Sequence, residues 1–384
     1  MSALERGALT LTVVLTALAG VANYDAWAPV PRFALATFAL AGLAWMVSLA
    51  TEQLGERFGP GATGLMQSTL GNLPELFVVV FALQAGELVV AQTAIVGSIL
   101  ANALLVLGCV IVVGARRAPE GDGVMRFSTR QPRDPATLLL LAVFIIVLLG
   151  LSLATHDPAS HHVQAISAVG AVCLLVVYGT WVVPYLRSDA ASTAAGEDRG
   201  RPRLGLAPTI VLLLAASAGS AFVSEWFVNG LEPAITVLHV SQAFAGLVIV
   251  AIASNAVEQM AGVVLAAKRH PDLAIAIVVN SVAQIAAFLF PVLVLAYKRR
   301  ADLAISVVKN SVAQIAAFLF PLLVLISFAL ATRLTFALAP VYIGALALTA
   351  LTVAQVTGDG EAAEFEGWAL VALYAILATL TLYE

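Results

Sequence analysis

Apolar runs of about the 20 residues that a helix needs to cross hydrocarbon follow one another along almost the whole chain. In that solvent only helices and closed barrels satisfy their own backbone. The runs are far longer than the roughly 10-residue alternating strands of a barrel. The expected fold is therefore an all-α polytopic membrane protein. Composition agrees: 61% of the 384 residues are hydrophobic and 11% are charged, against roughly a half and a quarter in a soluble domain. That balance excludes a cytosolic enzyme, a nucleic-acid binder and a disordered chain. Cys109 and Cys173 both lie in apolar runs, which leaves neither a disulfide framework nor a cysteine metal site.

The apolar runs predict spans over 7–22, 30–51, 62–84, 87–114, 135–155, 163–186, 207–229, 241–267, 271–297, 301–329, 334–356 and 364–383. Ala-Asn-Tyr-Asp (22–25) is a poor cleavage site, so the first run reads as a helix and not as a signal peptide. Positive residues set the orientation. With the N-terminus in the cytoplasm, Arg116, Arg117, Arg126, Arg130 and Arg133 fall inside, as do Arg187, Arg199, Arg201, Arg203, Lys268 and Arg269. The outward loops as far as residue 297 carry neither Lys nor Arg.

Two repeats organise the chain. Thr51-Glu52-Gln53-Leu54, with Pro60 following, resembles Ser224-Glu225-Trp226-Phe227, with Pro233 following. Gly71-Asn72-Leu73-Pro74-Glu75 matches Ser254-Asn255-Ala256-Val257-Glu258 at an offset of 183 residues, and Gly97-Ser98 matches Asn280-Ser281 at the same offset. Five spans separate the paired motifs, so the two copies enter the membrane from opposite sides. Inverted repeats of this kind build secondary transporters, whose ion sites lie near the midplane. The expected organisation is an N-terminal helix (1–29), a first five-helix repeat (30–186), a cytoplasmic linker (187–206) and a second five-helix repeat (207–384).

The second repeat is tandem. Residues 268–297 and 298–327 align without gaps, with 22 identities and eight differences, so one whole transmembrane helix is duplicated. Only the first copy keeps the 183-residue register, and only the second carries a lysine, Lys309, where the first has Val279. Both points nominate the first copy as the functional one. If both copies span, the last two spans are inverted. If one lies peripherally, their orientation is kept.

Glu75 and Glu258 sit inside apolar runs, where a carboxylate costs a few kcal/mol and marks a functional site by default. The bland alternative is a protonated structural Glu, which two acids in matched repeats make harder to sustain. Asn and Glu at i and i+3 share a helical face, so each helix offers an amide oxygen and a carboxylate together. Two such helices bring four side-chain oxygens to one point, and a hard cation such as Ca²⁺ takes six to eight. Ser98, Ser281, Gln284, backbone carbonyls and water are candidates for the rest. Pro74 inside a helix would free the carbonyl of Leu70, or simply kink the span. Asn102 reads as a helix-packing amide. Two carboxylates in a dry site cannot both stay ionised cheaply, so one divalent cation or about two protons would neutralise it, and the two would compete. Glu52 and Glu225, near span ends, either line an entry funnel or are solvated at the interface. Asp359, Glu361, Glu364 and Glu366 read as a solvated acidic turn. For His156, His161 and His162, pH or metal sensing is the lesser alternative to a solvated loop.

At these motifs the chain resembles the cation/proton (Ca²⁺/H⁺) exchanger family of the Ca²⁺/cation antiporter superfamily. The similarity runs from Glu52 through Gly71–Glu75 to Gly97–Asn102, then from Ser224-Glu225 through Ser254–Glu258 to Asn280–Gln284, and includes Asp359-Gly360-Glu361. The resemblance implies two inverted five-helix repeats with an additional N-terminal helix. It also implies Ca²⁺ export from the cytosol driven by inward proton flow, with Asn72, Glu75, Asn255 and Glu258 at the site and Gln284 matching a family Gln. The sodium-coupled branch usually has Ser or Thr near Asn72 and Asn255, so the two Asn favour protons. The chain departs from the family at Ser254 and Asn280, each in place of a Gly, and at Gln259 in place of a His, which removes one titrating group. The linker is mixed in charge and not acidic.

The reading is thus a transporter and not an enzyme. Ca²⁺ is its substrate, H⁺ its counter-ion and the bilayer its partner. It has no bound cofactor and no nucleic-acid partner, and homo-oligomerisation is left open. Its expected home is the plasma or inner membrane of a prokaryote. The alternatives are Mn²⁺ as the cation, Na⁺ as the counter-ion, or a membrane protein whose transport is impaired by the extra helix.

Overall fold

The computed structural model describes residues 3–58, 72–116, 118, 122–127, 133–193, 204–251, 305, 308 and 311–384. Its described helices are α1 (Ala3–Tyr24), α2 (Pro29–Phe58), α3 (Leu73–Gln84), α4 (Leu88–Arg116), α5 (Arg133–Thr155), α6 (Val163–Thr193) and α7 (Leu206–Leu238). They continue with α8 (Gln242–Phe244, prolonged by the π-helical Ala245–Val250), α9 (Ser311–Ser327), α10 (Pro340–Thr357) and α11 (Glu364–Leu382). Among the described residues, eight helices are long and apolar enough to cross a membrane, and α3 and α9 are shorter apolar helices. The fold is all-α and polytopic, with two inverted five-helix sets, α2–α6 and α7–α11, and α1 packed on α2 and α7.

The inversion is visible where α2 meets α7. Near the start of α2, Arg32 Nη2 donates to Asn229 O at 2.8 Å. Near its end, Gln53 Oε1 accepts from the N–H of Leu204, just before α7, at 3.2 Å. The two helices therefore run antiparallel.

Helices in lipid gain little from hiding apolar surface and associate by close packing, which favours small residues at crossings. On α4, a Cβ at Gly97 would lie 2.6 Å from Leu247 Cα of α8. In return, a Cβ at Gly246 would lie 2.9 Å from Thr93 Cβ. Further along α4, Gly108 and Gly367 of α11 face each other, and a Cβ on either would meet the other's carbonyl at 2.6 to 2.7 Å.

Several span ends differ from expectation. The seventh helix runs to Leu238, through Pro233, instead of stopping near 229. Residues 334–339 are not helical: Ala339 is extended (ψ 145°), as a residue before proline prefers, and α10 starts at Pro340.

The two-stranded ribbon β1 (Val124–Arg126) and β2 (Glu361–Ala363) decides the direction of the last two helices. Val124 pairs with Ala363 and Arg126 with Glu361, antiparallel. The α10–α11 turn therefore lies on the same face as the α4–α5 loop with Arg116 and Arg126. The last two helices keep the orientation they have without an extra span, so the duplication does not invert them. The acidic turn is solvated, with Asp359 and Glu361 exposed, and it is also tied down: Glu364 accepts from Arg116 Nε at 2.7 Å, Glu361 from Arg126 Nε at 3.2 Å and Glu366 from the Ala363 N–H at 2.8 Å. Exposed pairs such as these contribute little stability, but they fix which loops meet.

The crossings give a test. Gly108→Ala should lower the thermal midpoint in detergent, costing about 1–3 kcal/mol for overpacking. Gly344→Ala, where a Cβ meets nothing within 4 Å, should leave the midpoint unchanged.

Candidate ion-binding site

The start of α3 positions the first residues of the candidate site. Asn72 has non-helical backbone (φ −86°, ψ 3°) and α3 begins at Leu73. Its 12 residues rise about 18 Å, short of the roughly 30 Å hydrocarbon thickness. Pro74 lies in the first turn, not mid-helix as expected. There its missing N–H costs nothing, so it starts a helix and does not kink one. Leu70 lies outside the described residues.

Starting the helix there places two polar side chains deep in protein. Asn72 is 3% exposed and Glu75, in the first turn, is 1% exposed. The N-terminus of a helix carries partial positive charge, which favours a carboxylate in the first turn. The Leu76 N–H donates to Asn72 O at 2.9 Å, so the backbone turn is closed.

Helix α3 packs on α4, α7 and α9. On α4, Ser98 is fully buried, and Asn102 Nδ2 donates to the Ser98 carbonyl at 3.0 Å. That bond spans the entry to the π-helical Ala101–Val106, a local widening often found at functional sites. On α7, Ser224 is fully buried and its hydroxyl bonds to no described residue.

The second half is described only up to the approach. Asn255, Glu258, Ser281 and Gln284 lie outside the described residues. The helix whose sequence continues to Asn255 and Glu258 crosses α4 where Leu247 touches Gly97, next to Ser98.

Glu52 lies on α2, six residues before its end at Phe58. Glu225 is exposed and thirteen residues before the end of α7 at Leu238, so it is not near a helix end. Its span proves longer than its apolar run because α7 continues through Glu232-Pro233. The three loop histidines are exposed around the short 3₁₀ turn Pro158–His162. Among the described residues, no group of three or more His, Cys, Asp or Glu converges as a metal site.

One polar contact has no counterpart in the sequence reading. Glu87, at the α3–α4 turn, accepts from Gln242 Nε2 at 3.0 Å. Burial, and then the nearby Glu232 carboxylate, push the Glu87 carboxyl above its ordinary value. The three residues are far apart in the chain, and only the packing of α3, α7 and α8 brings them together at one mouth of the bundle.

The profile of the family described as sodium/calcium exchanger protein matches residues 30–185 and 208–383. The chain belongs to the sodium/calcium exchanger protein family. The two matched stretches cover most of helices α2–α6 and α7–α11. A vacuolar calcium ion transporter of Schizosaccharomyces pombe is 30% identical over 298 residues, covering 76% of this chain and 71% of that protein. A Ca²⁺/H⁺ antiporter of Aphanothece halophytica is 30% identical over 283 residues, covering 69% and 75%. A Ca²⁺/H⁺ antiporter of Synechocystis is 28% identical over 387 residues, covering 95% and 94%. These relatives place the chain with the Ca²⁺/H⁺ antiporters of the family. Among solved structures, native YfkE superposes with a TM-score of 0.74 at 24% identity, covering 98% of this chain and all of that one, which shows the shared fold.

The Glu87 environment predicts a pH effect. A carboxyl with a raised folded value binds more protons folded than unfolded, so stability falls as pH rises from about 4.5 through that value. Glu87→Gln, which keeps an acceptor for Gln242, should flatten this part of the pH profile of the thermal midpoint. It should also raise the midpoint modestly at neutral pH.

Proposed function

We propose that this chain exchanges cytosolic Ca²⁺ for protons by alternating access. In this reading Asn72 and Glu75 of the first half and Asn255 and Glu258 of the second hold the cation near the midplane. Ser98 and a Ser–Gln pair from the duplicated helix, Ser281 and Gln284 or their twins, complete its oxygen shell.

The observation that carries this reading is Glu75, 1% exposed in the first turn of the short apolar helix α3. A carboxylate there is costly unless something neutralises it. With Glu258 as its repeat partner, one divalent cation or about two protons would do so. If only the neutralised states let the two halves rock past each other, cation and protons move in opposite directions. The chemistry is competition for one site and needs no separate coupling device.

The relatives named as Ca²⁺/H⁺ antiporters support protons over Na⁺ as the counter-ion. The Asn residues at 72 and 255 favour the same choice. Orientation follows from the positive residues, which puts Arg116, Arg126 and the N-terminus in the cytoplasm of a prokaryotic host. Glu52 and Glu225 serve this reading only as residues lining the approach.

The test is uptake of radioactive Ca²⁺ into everted vesicles under an imposed pH gradient. Glu75→Gln and Glu258→Gln should each reduce uptake to background, and dissipating the proton gradient should abolish it. Uptake that survives both substitutions rejects the site. Uptake that follows an imposed Na⁺ gradient instead rejects proton coupling, and Mn²⁺ uptake that outcompetes Ca²⁺ rejects the cation.

A further inference from the structure

The duplicated segment supplies two candidate helices for one place in the bundle, and the described residues in that place belong to the second. Ile305, Val308 and Ser311–Ser327 all come from 298–327, and Ile305, Val308, Ser311, Ile315 and Leu319 are buried. Val308 and Val312 line a small cavity with Ala103 and Leu107 of α4 and Leu139 of α5. On another side Ala313 and Ala317 pack with Leu138 and Tyr178, and Phe318 stacks on Tyr178 with centroids 5.2 Å apart. This helix is a core member, although register and Lys309 nominate the first copy as the functional one.

Two features fit it to that place. The first is at its end, where the copies differ. Ser327 is fully buried, its hydroxyl donates to Val324 O at 2.7 Å, and it accepts from the Leu334 N–H at 2.9 Å. The first copy has Tyr297 at this position, too large for a buried Ser site and unable to reproduce that short contact. The second feature is a shared distortion. The π-helical Ile315–Leu319 starts four residues after Ser311, much as Ala101–Val106 starts three residues after Ser98. The helix in this place is therefore the counterpart of α4.

We infer that Ser311 and Gln314, and not Ser281 and Gln284, are the hydroxyl and amide that the second half brings to the cation site. The inference rests on the two-glutamate reading above. Ser and Gln at i and i+3 share a helical face, and both offer the oxygen ligands that a hard cation takes. The Phe320–Ser327 part of α9 packs on α3, which carries Glu75, and the Ile315–Leu319 part, next to Gln314, packs on the Leu88–Leu100 part of α4, which carries Ser98. The insertion then falls in the 53 residues between Ala251 and Ile305, and the 183-residue register becomes 213 in the working helix.

Packing and transport test this separately. In a background with Cys109 and Cys173 replaced by Ala, Tyr178→Cys is combined with Phe318→Cys or with Phe288→Cys, its twin. A protease site in the 187–206 linker lets a short bifunctional thiol reagent hold the two fragments together. The Phe318 pair should cross-link and the Phe288 pair should not. Failure of the first pair, or equal cross-linking of the second, overturns the inference. In vesicles, Gln314→Ala should lower Ca²⁺ uptake about tenfold or more, the usual scale for perturbing a metal site, while Gln284→Ala keeps it. The opposite pattern also overturns the inference. If Glu75→Gln leaves uptake intact, the two-glutamate reading fails, while the cross-links still decide which copy is packed.

Discussion

A helix that starts inside the bundle leaves first-turn N–H groups that need partners or protection, and the packing around Asn72 answers to that cost. Helix α3 starts among protein, with α4, α7 and α9 against it. Pro74 uses a position where an N–H would be unpaired anyway. The same helix start places its partial positive charge beside Glu75, which makes a buried carboxylate more tolerable there.

Close approach of the helices is the second requirement, and glycine supplies it. Gly97 and Gly246 let α4 and α8 touch through backbone beside Ser98. Gly108 and Gly367 do the same for α4 and α11, below which the β1–β2 ribbon ties the last turn to the α4–α5 loop. Asn280 and its twin Asn310 both stand at repeat positions of Gly97, so the second half carries an amide in sequence where the first half has that glycine. The repeats are thus similar in plan without being equal in sequence.

Much of this was legible in the sequence because membrane helices announce themselves by what they exclude. Glu75 stood out as an acid inside an apolar run, Asn72 as its partner at i and i+3 spacing, and the inverted order as an odd number of spans between matching motifs. What was not legible depended on neighbours. Periodicity could not distinguish a proline that starts a helix from one that kinks it. An apolar run that meets Glu232-Pro233 seemed finished, although α7 continues to Leu238. The acids of 359–366 are solvated, but their arginine partners gave no signal because they lie more than two hundred residues away in the chain. Glu87 gave no signal at all, since Gln242 and Glu232 reach it only through folding.

The duplicated helix shows the same limit most sharply. Register counts residues along the chain, and by that measure the first copy is in place and the second is surplus. Packing counts neighbours, and the segment that follows the helix is one of them. The stretch after Ser327 is anchored on α6, where Ser167 accepts from the Phe336 N–H at 3.2 Å and Gln164 from Arg333 at 2.9 Å. A helix joined directly to that anchor reaches its place without looping out 30 residues on the face where α10 begins. Of the eight differences between the copies, the buried Ser327 hydroxyl that receives Leu334 is the one whose structural effect is plain. Once both copies can form the same helix, connectivity chooses between them, and it favours the one nearer to what comes next.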